Sequence, residues 1–100
     1  MKGRTPTADE KRHMDRIAQL PCIVCYLQGL GASPSEIHHL SGKTAEGAHF
    51  KIIPLCFLHH RSGENTLWVS RHPYKSQFER RYGTEQYLLE ETKLLLEASA

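Results

Sequence analysis

The sequence has no long hydrophobic run, and its purely apolar stretches are short, as at residues 94–96. A helix that crosses a bilayer needs about 20 consecutive apolar residues, so a transmembrane segment is excluded. No apolar segment near Met1 resembles a signal peptide. We therefore expect a cytoplasmic protein with no membrane partner.

Cysteine and large apolar side chains are also scarce. The three cysteines are an odd number, and we expect them to be reduced, so they do not indicate a disulfide framework. The central stretch of residues 22–61 has few large apolar side chains and many glycines. Because 100 residues make one domain with a small core, we expect a structural metal to supplement hydrophobic burial.

Histidine, in contrast, is abundant. The chain has seven histidines, and four of them form the adjacent pairs His38-His39 and His59-His60. The formal net charge is only +2, but the part through Gly83 has 12 Lys and Arg against 7 Asp and Glu and contains every Cys and His. A positively charged body rich in metal-ligand side chains favours a polyanionic partner.

The periodicities and turn residues predict a small α+β fold with little sheet. Residues 1–100 read as a single domain with a mobile basic arm at 1–6. Thr7 and Glu10 have the spacing of a capping box and predict a helix over 7–19, followed by a cysteine turn over 22–25 and a loop over 27–34. The middle of the chain predicts a strand over 36–40, a loop over 41–48, a second strand over 49–55 that Pro54 ends, and a short helix over 56–61. Two further helices are predicted: one from Pro73 to the Gly83 stop, in which Tyr74, Phe78 and Tyr82 repeat every four residues, and a last one capped by Thr84.

Two pairs of residues have the same chelating spacing. Cys22-x-x-Cys25 places two thiolates on one tight turn, a spacing shared by metal sites and redox pairs. Cys56-x-x-His59 supplies a matching second half. Three thiolates and one imidazole form a closed ligand set for structural Zn²⁺.

The zinc set leaves several histidines over. His59 and His60 are neighbours on a predicted helix, so one can bind the zinc while the other faces elsewhere; the matching spacing favours His59 for the zinc, and helical geometry alone does not decide. His38, His39 and one of this pair then remain. Phosphodiester hydrolysis needs a metal ion and a base, and histidine suits the base because its pKa lies near neutrality. Adjacent strand residues face opposite sides, so His38 and His39 can share a site only at a strand end or on either side of the scissile bond.

Three segments carry a resemblance: CIVC (22–25), EIHH (36–39) and IPLCFLHH (53–60). Together they resemble the HNH superfamily of ββα-metal nucleases with a zinc-knuckle frame. The pattern continues through Phe78, Tyr82-Gly83 and Leu88-Leu89 and is similar to the Ref-type, RecA-dependent nuclease family of phages and prophages, over residues 20–95. The resemblance implies a ββα-metal core flanked by an N-terminal helix and two C-terminal helices.

The same resemblance implies roles for the histidines. His39 takes the place of the general base, His38 that of a catalytic-metal ligand, and His60 that of the helix-borne metal ligand. The sequence departs from the pattern because its only Asn, Asn65, lies beyond both elements. His49 or Lys51 occupies the interval of the usual Asn. His49, Glu64 and His72 are further candidate ligands of the catalytic ion.

The implied activity is metal-dependent DNA cleavage with little sequence specificity, by an enzyme that acts with a RecA-type recombinase filament. The catalytic cation is Mg²⁺, Mn²⁺, Ni²⁺ or Zn²⁺, bound by two or three protein ligands. A chain this small is expected to cut both strands as a homodimer. The candidate contacts to the DNA backbone are Lys43, Lys51, Arg61 and Arg71, with Lys2 and Arg4 on the arm.

Two alternatives belong to other functional classes. The first is a zinc-stabilised nucleic-acid-binding module without catalysis; the missing Asn favours it, and the surplus histidines count against it. The second is a protein-interaction adaptor whose acidic last helix docks a partner, where a solvated helix face is the competing interpretation. The acidic residues of that helix are Glu85, Glu90, Glu91 and Glu97.

Overall fold

The computed structural model describes residues 6–31, 33–40, 48–63 and 68–98. In these ranges a two-stranded sheet is surrounded by helices, which confirms the predicted α+β class. The elements are α1 (Ala8–Ala18), α2 (Ile23–Leu27), β1 (Glu36–His39), a 3-10 helix (Ala48–Phe50), β2 (Ile52–Leu55), α3 (Phe57–His60), α4 (Lys75–Tyr82) and α5 (Glu85–Ala98).

Helix α1 begins as the sequence predicts. The Thr7 hydroxyl accepts a hydrogen bond from the Glu10 amide, and the Glu10 carboxylate accepts one from the Thr7 amide, which completes a capping box. The buried face of α1 carries Ile17, whose side chain is fully enclosed. This face packs against the sheet and the 3-10 helix.

The strands β1 and β2 pair antiparallel, with His38 opposite Ile53 and His39 opposite Ile52. The second strand is shorter than predicted, because its first two predicted residues, 49 and 50, lie in a 3-10 helix that begins at Ala48, in the predicted loop. Pro54 does not end the strand either; it lies inside β2, opposite Ile37. Proline is tolerated there because each strand of a two-stranded sheet is an edge strand.

The predicted cysteine turn is a cap and a short helix. Cys22 is the N-cap of α2, and Cys25 lies within that helix, so the expected turn over 22–25 and the start of the 27–34 loop are corrected. The predicted helix over 56–61 is confirmed in a shorter form, with Cys56 as the N-cap of α3. In both halves of the ligand set, therefore, one Cys caps a helix and its partner lies in the first turn.

The two C-terminal helices follow the predicted pattern, except that α4 begins at Lys75, after the N-cap Tyr74, and not at Pro73, which lies in the preceding turn. Phe78 is fully buried on α4, and its ring lies 5.1 Å from that of Tyr82. Helix α4 ends at Gly83, whose φ of 110° favours glycine. Thr84 then accepts a hydrogen bond from the Tyr87 amide at the start of α5. Leu88 of α5 completes the core with the buried face of α2 and with β2.

Some predictions fall outside the described residues. They are residues 1–5 of the predicted arm over 1–6, with Lys2 and Arg4; residues 41–47 of the predicted loop over 41–48, with Lys43; and Glu64. None of the described helices combines the length and the apolar character needed to cross a membrane.

Candidate metal centres

The structure brings the four predicted zinc ligands together. Cys22, Cys25, Cys56 and His59 are all buried, and their ligand atoms lie within 4.8 Å of one another. The Cys25 and Cys56 sulfurs are 3.8 Å apart, and His59 Nδ1 lies 3.6 Å from the sulfurs of both Cys22 and Cys25. His59 Nδ1 is 3.2 Å from the Cys56 sulfur.

Three of these four distances match the edges of a zinc tetrahedron, and the distance from His59 Nδ1 to the Cys56 sulfur is shorter. With Zn–S of about 2.3 Å and Zn–N of about 2.0–2.1 Å, sulfur–sulfur edges are about 3.8 Å and sulfur–nitrogen edges about 3.6 Å. The three cysteines are free thiols rather than disulfides. The set therefore fits one structural zinc ion, and His59 rather than His60 supplies its imidazole.

Burial at this site disfavours charged thiolates and a charged imidazole. Burial raises the pKa of the Cys22 thiol to about 12 and also raises the pKa of Cys56. Burial, with the positive charge of Arg81 added to it, lowers the pKa of His59. The imidazole is thus kept neutral, as a ligand must be, and thiolates in this dry site require a metal ion to stabilise them.

A second cluster consists of His38, His60 and His72. Their candidate ligand atoms also lie within 4.8 Å of one another, and the three ring centroids are 5.2–5.3 Å apart. His38 is buried, His60 is partly buried and His72 is exposed. Three imidazoles can hold a cation, and because His72 is exposed, coordination positions remain open to ligands from solvent.

Backbone pairing brings His72 to this cluster. The amides of Arg71 and His72 donate to the carbonyls of His59 and His60, at 2.8 and 2.9 Å. His38 comes from the centre of β1, and His60 from the last position of α3. The cluster is therefore built from three separate segments, and its third member is His72.

Each of two cluster histidines is hydrogen-bonded to a carboxylate. His38 Nε2 donates to Glu85 Oε2 at 2.5 Å, and His60 Nδ1 donates to Glu36 Oε1 at 2.8 Å. Arg71 Nη1 lies 3.2 Å from His72 Nδ1. Because a guanidinium only donates, this His72 nitrogen accepts.

The carboxylates remain charged well below neutral pH. Hydrogen bonds from Arg61 and then from His60 lower the pKa of Glu36 to about 2. Burial opposes ionisation of Glu85, but the hydrogen bonds from His38 and Arg71 outweigh it, and the pKa of Glu85 lies below its ordinary value. Burial is the main cause that lowers the pKa of His60 and of His72, which favours neutral, ligand-competent rings.

His39 and His49 form a separate pair. His39 is the last residue of β1, at the strand end, and its Nε2 lies 3.1 Å from Nδ1 of the buried His49. His49 therefore joins His39 and is not part of the three-histidine cluster. Of the two residues considered for the place of the Asn, His49 is the one within hydrogen-bonding distance of His39.

The predicted DNA-contacting residues that the structure describes lie in different settings. Arg61 is exposed and donates twice to Glu36, from Nε at 2.9 Å and from Nη2 at 2.8 Å. Arg71 is largely buried and donates from Nε to Glu85 at 2.6 Å. Lys51 is exposed, next to β2.

Sequence analysis missed the two carboxylates. The sequence places Glu36 in a predicted strand and Glu85 on the predicted acidic face of the last helix. That assignment of Glu85 is wrong: its side chain is 9% exposed and contacts His38 and Arg71. A signal existed for Glu36, which lies two positions before His38 and so on the same face of the strand. None existed for Glu85, which is 47 residues from His38.

The sequence was compared with models of protein families. The model described as "Recombination enhancement, RecA-dependent nuclease" matches residues 6–97. The matched segment contains both metal-ligand clusters, all of α1 to α4, and α5 through Glu97.

Proposed function

The chain belongs to the family of recombination-enhancing, RecA-dependent nucleases, and from that premise we propose a metal-dependent DNA endonuclease of the HNH type. The observation that carries this proposal is the three-histidine cluster beside a closed Cys₃His set. The closed set suits a structural ion, because its four ligands leave no open position. The cluster suits a catalytic ion, because three imidazoles leave positions for a phosphate oxygen and water.

In this proposal the cation at the cluster is held by His38, His60 and His72, and at His72 it replaces the contact between Nδ1 and Arg71. When bound, a divalent ion supplies electrostatic stabilisation for the phosphodiester oxygens during hydrolysis. The neutral state of His60 and His72, favoured by burial, suits Mn²⁺, Ni²⁺ or Zn²⁺, while phosphate oxygens add the hard ligands that Mg²⁺ prefers.

His39 is the proposed general base. Its position at the end of β1 supports this role, because neighbouring strand residues can serve one site where a strand ends. The contact with His49, 3.1 Å from Nε2 of His39 to Nδ1 of His49, orients the imidazole that would take a proton from the attacking water. His49 thereby takes the orienting place of the Asn in the HNH pattern.

Arg61 and Arg71 flank the cluster through the carboxylates that also bind His60 and His38. We assign them, with the exposed Lys51, to the phosphate backbone of DNA. Such contacts give affinity without reading sequence. The RecA dependence in the family description fits cleavage at a recombinase filament, and a homodimer would allow cleavage of both strands.

The test is plasmid nicking with purified protein, RecA and added divalent ion. His39→Ala is expected to lower the cleavage rate by about 10²- to 10⁴-fold, the usual contribution of a general base. Its zinc content and circular dichroism are expected to match those of the unchanged protein. His13→Ala is the matched control, since His13 lies on α1 outside both clusters.

Two results would contradict the proposal. One is full cleavage by His39→Ala in a preparation free of contaminating nuclease. The other is DNA binding by the zinc-loaded protein with no cleavage under any divalent ion, which would support a zinc-stabilised binding module instead.

A further inference from the structure

Two glutamates on different elements make the same pair of contacts at the three-histidine cluster. Glu85 Oε2 accepts from His38 Nε2 at 2.5 Å and from Arg71 Nε at 2.6 Å. Glu36 Oε1 accepts from His60 Nδ1 at 2.8 Å and from Arg61 Nε at 2.9 Å. Each carboxylate thus joins one imidazole of the cluster to one guanidinium.

These contacts determine which nitrogen of each ring can bind a cation. A neutral imidazole has one N–H and one lone pair, on different nitrogens. The nitrogen that donates to a carboxylate carries the hydrogen, so the lone pair lies on the other one. For His38 that leaves Nδ1, and for His60 it leaves Nε2.

Burying a charged carboxylate raises the free energy of the folded state unless its contacts offset the lost solvation. Glu85 begins α5, and only 9% of its side chain is exposed. Its charge could be paired with Arg71 alone, yet the same oxygen also meets His38. A carboxylate behind a ligand histidine orients the ring and makes its free nitrogen a better donor to a metal.

We propose that Glu85 and Glu36 are positioning residues that fix His38 to bind the catalytic cation through Nδ1 and His60 to bind it through Nε2. The same carboxylates hold Arg71 and Arg61 beside the cation, where a DNA phosphate meets both charges. This inference rests on the proposed function, because it takes the cluster as the site of the catalytic ion.

The ring nitrogens can be examined without any substitution. Long-range proton–nitrogen NMR correlations of the full, zinc-loaded chain distinguish the two neutral tautomers of each histidine. We expect the hydrogen of His38 on Nε2 and that of His60 on Nδ1, both before and after one further equivalent of Zn²⁺. A hydrogen on Nδ1 of His38 or on Nε2 of His60 would overturn the inference.

Affinity for Mn²⁺ provides the second readout, by titration of the zinc-loaded protein. Glu85→Gln and Glu36→Gln retain an acceptor oxygen but remove the charge, and each is expected to weaken Mn²⁺ binding by about 10- to 100-fold. Glu90→Gln is the matched control: it removes the same charge from the same helix as Glu85, at a residue that pairs with Lys93 on the surface. The tightly bound zinc reports whether each variant is folded.

The outcomes separate this inference from the proposed function. If the unchanged protein binds no Mn²⁺ beside its zinc and cuts no DNA, the proposed function fails, and this inference fails with it. If the protein binds Mn²⁺ and cuts DNA while Glu85→Gln and Glu36→Gln bind Mn²⁺ as tightly as Glu90→Gln, the positioning role alone is wrong.

Discussion

Neighbouring histidines on one helical turn allow a direct test of the two clusters. His59 lies 3.2 Å from the Cys56 sulfur, whereas His60 contacts Glu36 and the rings of His38 and His72. Substituting each by alanine removes the same side chain one position apart. His59→Ala should open the Cys₃His set, and His60→Ala should leave it closed.

The two substitutions are expected to lower the stability of the fold by very different amounts. Structural zinc contributes about 10–16 kcal/mol at pH 7 in small zinc domains, and the whole free energy of unfolding of a domain is about 5–15 kcal/mol. His59→Ala is therefore expected to be largely unfolded at 25 °C. His60→Ala loses a hydrogen bond to a charged partner, worth about 2 kcal/mol, which lowers the melting temperature of a 100-residue domain by about 8–16 °C.

The assay combines thermal melting by circular dichroism with zinc measured per chain. The expected result is about one zinc per chain in the unchanged protein and in His60→Ala, and loss of both zinc and cooperative melting in His59→Ala. Our assignment of the ligands is refuted if His60→Ala releases the zinc while His59→Ala retains it. The dependence of the fold on zinc is refuted if His59→Ala is metal-free and melts as the unchanged protein does.

Two further predictions concern the helices around the site. Phe78→Ala empties a fully buried position in the core and should lower the free energy of unfolding by about 3–5 kcal/mol, measured by urea denaturation at fixed zinc; a loss below about 1 kcal/mol would contradict the packing. Burial, and then the charges of Arg16 and Lys93, lowers the pKa of His13 below its ordinary 6.5, so the unfolded chain binds this proton more readily. Stability should therefore fall as the pH drops below 6.5 toward the folded-state pKa, and His13→Gln should show a smaller fall; equal slopes for the two proteins would contradict the assignment.

Local spacing explains why the zinc ligands were predictable. Cys22 and Cys25, and likewise Cys56 and His59, are three residues apart, so one helical turn brings each pair together whatever the rest of the chain does. Only the approach of the Cys22–Cys25 pair to the Cys56–His59 pair depends on the tertiary fold. The capping box of α1 and the aromatic repeat of α4 were predictable for the same reason.

The remaining features depend on long-range packing. His49 and Phe50 suit a strand, but they lie in a 3-10 helix, with the His49 ring against His39 and the Phe50 ring 5.5 Å from that of His13. Glu85 occupies the first turn of α5, where an acidic residue is favoured on helix-dipole grounds alone. The helix dipole alone explains a glutamate at this position, so the local sequence does not indicate its contact with His38.

The single turn of α3 carries one residue of each cluster. Its third residue, His59, lies in the Cys₃His set, and its fourth, His60, lies in the three-histidine cluster. A helix this short cannot rotate to improve one set of distances without displacing the other ring by a similar angle. The two sites therefore keep or lose their geometry together. A thiol-reactive compound that displaces α3 is expected to disrupt the three-histidine cluster without reacting with its imidazoles.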